Sequence, residues 1–317
     1  MVHLSRRCTA LLVPLVVVGL ASCASTSAQG SPPAAGGGGF PVTIHAADGA
    51  VAVPHRPRAI VSLSPTATEM LYAIGAGSQV KAVDKYSDYP EGTPMTALDG
   101  NSPNVEAIAG YKPDLVVASQ DISGLSSQLK AIGIPVLIDP AATDLAQAYS
   151  QFDQLGQATG HVTQARREVA GIKSRIAGIV AATPRPAHPL SYYYELDQTY
   201  YSVTSSTFVG QLLGLLGLKS IADAASGAAA SGGYPQLNAE FIVKADPDYI
   251  LLADTLCCGQ SAATVAARPG WGTMGAVHDG RVLGLNDDIA SRWGPRVVVL
   301  LQDVAAELRA HPVQAAA

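Results

Sequence analysis

The sequence predicts an α/β protein of two Rossmann-like lobes, each built on a mainly parallel sheet, joined by a single long interlobe helix. Three observations predict it. One helix-turn-strand unit occurs twice: Asn104-Val105-Glu106 leads to Lys112-Pro113-Asp114 and the apolar run 115–118, and Asn238-Ala239-Glu240 leads to Asp246-Pro247-Asp248 and the run 249–252. Short β-branched runs alternate with helical stretches on both sides of mid-chain, the pattern of parallel strands covered by helices. Residues 163–182 run without proline and carry Arg166, Arg167, Glu168, Lys173 and Arg175; about 20 residues at 1.5 Å rise make a rod of about 30 Å, enough to bridge two lobes.

Residues 1–22 read as a processing signal. Arg6 and Arg7 precede an apolar run, 11–20, that closes on Leu20-Ala21-Ser22-Cys23, a cationic start, a short apolar core and a small-residue cleavage site. The run is shorter than the about 20 residues that span a bilayer. A small-residue triplet ending in cysteine resembles the lipobox of bacterial lipoproteins, which implies that Cys23 carries lipid and becomes the new N-terminus. Residues 23–39, with Ser, Ala, Pro and the Gly36 to Gly39 cluster, then form a flexible tether.

The first lobe is expected over residues 40–160. Residues 40–46 alternate like a strand, Asp48-Gly49 turns the chain, and 51–53 return. Residues 58–63 form an apolar strand ending at Ser64-Pro65-Thr66, where Ser64 caps a helix over 66–74 and Pro65 fits its first turn. Gly75 and Gly77 stop that helix. A strand at 80–83 feeds Lys85-Tyr86-Ser87-Asp88-Tyr89-Pro90. The first repeat unit, a helix at 126–132, a strand at 136–138 and a helix at 144–156 complete the lobe. Residues 161–183 hold the bridging helix, for which an ordinary surface helix is the plainer reading; its mid-chain position favours the bridge.

The second lobe, 184–317, starts after a proline-rich break with a tyrosine-rich strand at 190–196. Residues 206–217 echo the spacing of 64–75, with Leu213 where Leu71 stood. The second repeat unit follows, then 263–268, Trp271, a strand at 281–285 and a closing helix over 296–310. In both repeat units asparagine caps the helix and glutamate two residues later complements the positive helix end, a contribution of about 0.3–1 kcal/mol each. Dipole complementation explains why an acid is tolerated there. It does not explain one exposed carboxylate per lobe in matching places, which suits a partner presenting two equivalent arginines.

Composition narrows the function. The body of about 275 residues exceeds one ordinary core and fits two lobes. Formal charge is −5 for the whole chain and falls to about −7 without the signal, which takes two arginines and no acid; a nucleic-acid partner is not expected. Nucleophile elbow, P-loop and His-Glu-x-x-His patterns are missing, so no enzyme is expected. With Cys8 and Cys23 accounted for, Cys257 and Cys258 remain. Adjacent cysteines outside the cytoplasm stay as thiols, bind soft metal or close a vicinal disulfide; the disulfide is preferred, and no metal cage is expected because no second cysteine pair or near histidine completes it.

In open parallel sheets ligands bind beyond the C-terminal strand ends, and here the loops expected there are aromatic. Tyr86 and Tyr89 flank Asp88, Ser119 follows a strand, Tyr200 and Tyr201 follow another, Cys257 and Cys258 a third, and Arg292-Trp293 close the last. Aromatic residues make up only 6% of the chain, so their gathering on these loops points to a large, partly flat, apolar ligand.

The chain resembles class III solute-binding lipoproteins of ABC importers, the group that carries cobalamin, haem and ferric siderophores. The resemblance covers nearly all of residues 40–310. It rests on Arg58-Ala59-Ile60-Val61-Ser62-Leu63-Ser64-Pro65-Thr66-Ala67-Thr68-Glu69, both Glu…Pro-Asp units, the mid-chain helix and Gly294-Pro295-Arg296. It implies two rigid lobes about a shallow cleft, with Glu106 and Glu240 docking onto arginines of a permease dimer served by its ATPase. Tyr86-Ser87-Asp88-Tyr89-Pro90 and Tyr234-Pro235-Gln236 resemble cleft segments of cobalamin-binding members, and Arg292 stands where a cleft arginine is placed; Gly100 and Ser119 stand where such members can carry aromatic residues. The implied protein is a monomer without a cofactor, lipid-anchored on the extracytoplasmic face of the membrane. It captures a corrinoid, or alternatively a ferric siderophore or haem.

Overall fold

The computed structural model describes residues 39–313; the signal, Cys23 and all but the end of the tether lie outside them. The chain enters on an antiparallel hairpin of β1 (Val42–Ala46) and β2 (Gly49–Val53). A parallel four-stranded sheet follows, from β3 (Ile60–Leu63), β4 (Val80–Val83), β5 (Leu115–Ala118) and β6 (Val136–Ile138), in the order β4-β3-β5-β6. Its helices are α1 (Pro65–Ala73), α2 (Val105–Gly110), α3 (Leu125–Ala131) and α4 (Leu145–Thr159). After α5 (Val162–Ala182) a second parallel sheet takes β7 (Leu190–Glu195), β8 (Leu218–Ser220), β9 (Tyr249–Leu252) and β10 (Val282–Gly284) in the order β10-β9-β7-β8. Its helices are α6 (Phe208–Gly214), α7 (Ala239–Ala245), α8 (Thr255–Cys258), α9 (Ala262–Ala266), α10 (Gly275–His278), α11 (Asp287–Ser291) and α12 (Val297–Ala310).

Sheet strands are apolar on both faces because helices cover both: β3, β5 and β9 are buried at every position, as parallel sheets require. Ser64 caps α1 by accepting from the Ala67 amide at 3.3 Å, with Pro65 in the first turn. The two repeat units superpose in their chemistry. Asn104 Oδ1 accepts from the Ala107 amide and Asn238 Oδ1 from the Phe241 amide, at 2.9 and 2.8 Å. Lys112 and Asp246 both take positive φ, 50° and 43°, turning the chain out of its helix ahead of the proline. The aspartate that follows clamps the neighbouring central strand: Asp114 accepts from the Arg58 and Ala59 amides entering β3, and Asp248 from the Ser191 amide in β7. Each repeat thus builds the helix, the turn and the strand register of its own lobe.

α5 stands between the two sheets in chain order, and the largest core cluster is continuous across both halves, taking Ile60, Leu71 and Phe152 from the first, Ile172 from α5, and Tyr194, Leu251 and Leu301 from the second. α5 packs against both α4 and α12 through an apolar stripe of Ala165, Val169, Ile172 and Ile176. Two smaller clusters fill the outer faces of the sheets, around Val61 and Leu129 in the first and around Tyr193 and Trp271 in the second. The described residues, 39–313, form one compact unit containing all three clusters. The segment 287–293, expected as a loop, holds the short helix α11, whose cap Asn286 accepts from the Ile289 amide at 3.1 Å.

Candidate functional site

The strand ends assemble the site. A helix that feeds a parallel strand runs antiparallel to it, so α2 and α7 begin at the edge where the strands finish. Glu106 accordingly lines a shallow depression with Ile122 and Ser123, in the segment after β5. Just ahead of α7, the Leu237 amide donates to the Tyr200 carbonyl at 3.0 Å, in the loop after β7. Glu106 and Glu240 are both exposed, and neither forms a salt bridge among the described residues.

Tyr86, Tyr89, Tyr201 and Tyr234 are 45, 44, 41 and 46% exposed, unusual for large aromatic side chains. Tyr86 and Tyr89 stand on the loop after β4, and the Tyr89 ring lies 4.2 Å from the Arg296 guanidinium carbon. Tyr201 follows β7 and bridges antiparallel to Gln236, while the Ser202 amide donates to the Pro235 carbonyl at 3.0 Å; this pairing brings the Tyr201 and Tyr234 segments side by side. Ser119, half-buried, follows β5. Gly100 has no room for a side chain: a Cβ there would collide with the Leu63 carbonyl oxygen and come within 3.0 Å of Asp84 Oδ2. An aromatic residue at that position would need the backbone to move.

Three residues expected to face a ligand make contacts within the protein. Tyr200 stacks on Trp271 with ring centroids 5.8 Å apart and belongs to the second lobe's packing. Trp293 packs against the shared core and donates from Nε1 to Gln151 Oε1 at 2.7 Å. Arg292 is buried, its Nη1 donating to Glu69 Oε1 at 3.0 Å and Asp88 Oδ1 at 3.2 Å, and its Nη2 to the Tyr86 carbonyl at 3.0 Å and Asp288 Oδ1 at 2.6 Å. Arg292 and Trp293 each have a polar partner on another element within reach, and a satisfied bond outweighs exposure, whereas Tyr200 is held by the face of Trp271.

Glu69, singled out only as part of a motif, proves to be the centre of this network. Its side chain is fully buried on α1 and also accepts from Arg296 Nε at 3.0 Å and Nη2 at 2.6 Å. One carboxylate therefore holds two guanidiniums from the other half. Its signal in the sequence was position, an acid inside the run Thr66 to Leu71 that the helix otherwise buries.

Beneath the second lobe's rim lies a group that the sequence did not flag. Glu195 at the end of β7 is paired with Arg268 through two bonds, 2.6 and 2.5 Å. Asp254 just after β9 is fully buried with both oxygens unpartnered, and burial followed by the neighbouring Glu195 pushes its carboxyl up to about 7. Above it, Asp287 accepts from the Thr255, Leu256 and Cys257 amides at 2.8, 3.0 and 2.7 Å, fixing the turn that carries Leu256, 65% exposed. Cys257 and Cys258 are joined as a vicinal disulfide with Cα atoms 3.8 Å apart.

The loops at the strand ends thus present exposed tyrosines and two exposed carboxylates, surfaces suited to holding a molecule. Comparisons with known proteins agree. The periplasmic binding protein model matches residues 60–289. An ABC transporter substrate-binding lipoprotein of Bacillus subtilis strain 168 is 32% identical over 84% of this chain and 85% of its own. The cobalamin-binding protein of Halobacterium salinarum is 30% identical over 93% of this chain and 82% of its own. Among solved structures, a possible iron-binding periplasmic solute-binding protein of Staphylococcus epidermidis superposes with a TM-score of 0.68 at 26% identity, over 79% of this chain and 98% of its own. The chain therefore belongs to the periplasmic binding protein family, as an extracytoplasmic solute-binding component of an ABC importer and not an enzyme.

Proposed function

We propose that the protein captures a corrinoid of the cobalamin type at its tyrosine-rimmed cleft and hands it to the importer's permease. The observation that carries this reading is the set of four half-exposed tyrosines, Tyr86, Tyr89, Tyr201 and Tyr234, on loops of both halves at the strand-end edge. Broad, rigid rings with a hydroxyl at the tip suit a large macrocycle with an apolar face and a polar periphery. Asp88, 53% exposed on its side chain although it touches Arg292, and Ser119 supply polar contacts at the rim. Arg292 acts from behind, holding Asp88 and the Tyr86 carbonyl in place. A relative named for cobalamin binding, alike over most of both chains, supports the choice.

Delivery follows from the same face. Glu106 and Glu240 flank the cleft as matched, unpaired carboxylates for arginines of a two-subunit permease, and the lipid on Cys23 keeps the protein beside it. The continuous core makes capture a process of little lobe closure.

Titration with cyanocobalamin followed by tyrosine and tryptophan fluorescence tests the ligand, with saturable quenching at micromolar concentration as the expected result. No change there together with a response to a ferric hydroxamate would overturn the corrinoid reading in favour of an iron chelate. That second reading draws on the exposed phenols, which suit a ferric centre, and on the iron-binding neighbour.

A further inference from the structure

The edge of the first sheet opposite the cleft carries a cavity of ≈ 840 Å³ lined by His55, Arg56, Arg58, Gln79, Lys81 and Asp114. It sits where β3, β4 and β5 begin, since Arg58, Lys81 and Asp114 flank or open those strands. In a chain of net charge −5, three permanent cations converge here without a carboxylate partner among the described residues. Asp114 brings one negative charge to the same cavity, its oxygens accepting from the Arg58 amide at 3.1 and 2.9 Å and from the Ala59 amide at 3.0 Å, so the cations outnumber it. Arg56 spends Nε on the Thr159 carbonyl and Nη2 on His161 Nε2, both at 3.0 Å, and Lys81 donates to the Ser78 carbonyl at 3.0 Å; all three partners are neutral or weakly basic.

At the strand-start edge of the second sheet Arg281, which enters β10, pairs with Asp279 at 2.6 Å and donates from Nε to the Asp248 carbonyl at 2.8 Å, while Lys219 in β8, which matches Lys81 in strand order, is exposed. A further polar group points to what the open cavity takes. Gln79 is 8% exposed, its amide nitrogen donating to the Pro57 and Thr159 carbonyls at 2.6 and 3.3 Å, which leaves Oε1 buried without a donor. A phosphate bearing a hydroxylated alcohol satisfies both requirements, the anion by the cations and Oε1 by a hydroxyl.

The cavity also lies where the chain enters the body: a Cβ built on Gly160 would meet Arg56 Nε at 3.1 Å and the Phe40 ring at 3.4 Å. We infer that this basic edge is a docking surface for anionic phospholipid headgroups of the phosphoglycerol type, and that it rests the body on a membrane with the cleft turned away from the lipid, open to incoming ligand. Cations near an anionic membrane surface attract it over about a Debye length, so the contact is weak and reversible, and docking on a permease through the opposite face releases it.

Cosedimentation of residues 39–313, which hold all the cores, with vesicles tests this without ligand or permease. Binding is expected to vesicles of phosphatidylcholine with one third phosphatidylglycerol, at low salt, and not to phosphatidylcholine alone. Arg58→Glu with Lys81→Glu is expected to weaken it at least tenfold, at about fivefold per cation removed, with an unchanged melting temperature because both side chains are exposed. Glu106→Lys with Glu240→Lys is expected not to weaken it. Equal partition onto both vesicle types, or anionic binding indifferent to the Arg58 and Lys81 reversals, would overturn the proposal. So would stabilisation by soluble glycerol 3-phosphate without vesicle binding, which would assign the cavity to a free phosphate.

Discussion

Replacing Glu69 by alanine should destabilise the protein more than any other single change at the cleft. The carboxylate is fully buried, and the side chains of Arg292 and Arg296 that converge on it are 7 and 14% exposed. Alanine removes the three bonds that Glu69 receives at 2.6 to 3.0 Å and strands two guanidiniums in a site with little water. Arg292 keeps Asp88 and Asp288, so the loss is cushioned on that side, whereas Arg296 keeps the Tyr89 ring and no ion pair among the described residues. Breaking a buried pair by removing one partner costs about 3–5 kcal/mol, and for a domain of this size that lowers the melting temperature by at least about 6 °C. Urea unfolding followed by circular dichroism measures it. Glu69→Gln, which retains a carbonyl acceptor, should lose less. A Glu69→Ala midpoint within experimental error of the parent would refute the idea that this carboxylate ties the halves together. Because Arg292 also holds Asp88 and the Tyr86 carbonyl, the alanine variant should in addition bind ligand more weakly at temperatures where it is folded.

Reversing both Glu106 and Glu240 to lysine should abolish uptake in cells while leaving ligand affinity in solution unchanged; a fall in affinity would move the pair into the cleft. Asp114→Ala and Asp248→Ala should cost similar stability, about 1–3 kcal/mol each, because each clamps the entry of a central strand, and strongly unequal urea midpoints would show that the repeats are not mechanically equivalent. Asp139, buried after β6 with Oδ2 unpartnered, has its carboxyl pushed up to about 7, by burial first and then by Asp48. The unfolded chain loses this proton near pH 4 and the folded one near 7, so stability falls as pH rises between them and levels off above. Asp139→Asn should flatten that decline and be more stable than the parent at pH 8, and an unchanged slope would show the acid is not held protonated.

Much of the fold was legible because it rests on local rules stated twice. Asparagine caps, the acid in the first turn, the Pro-Asp stop and the apolar run are short-range features, and the helices α2 and α7 and strands β5 and β9 begin within a residue or two of where the sequence put them. β8, α8 and α10 were missed, being three or four residues long, too short for a period to register. At the site the exposed tyrosines on strand-end loops were readable because the rule that ligands sit beyond strand ends is topological. Arg292, Trp293 and Tyr200 were not, because whether a side chain faces solvent depends on partners more than a hundred residues away in two of the three cases, Glu69 for Arg292 and Gln151 for Trp293.

The sequence by itself determined that two α/β halves exist, that each presents a carboxylate at the head of an equivalent helix, and that large aromatic rings gather on the loops after their strands, since capping, chain direction and strand period are properties of neighbouring residues. Only the tertiary structure decided that the halves share one core, that Glu69 joins them through two arginines, and that Arg58 and Lys81 gather at the first lobe's far edge. Those outcomes depend on which long-range partner reaches a charge first, and desolvation penalises every charge that no partner reaches.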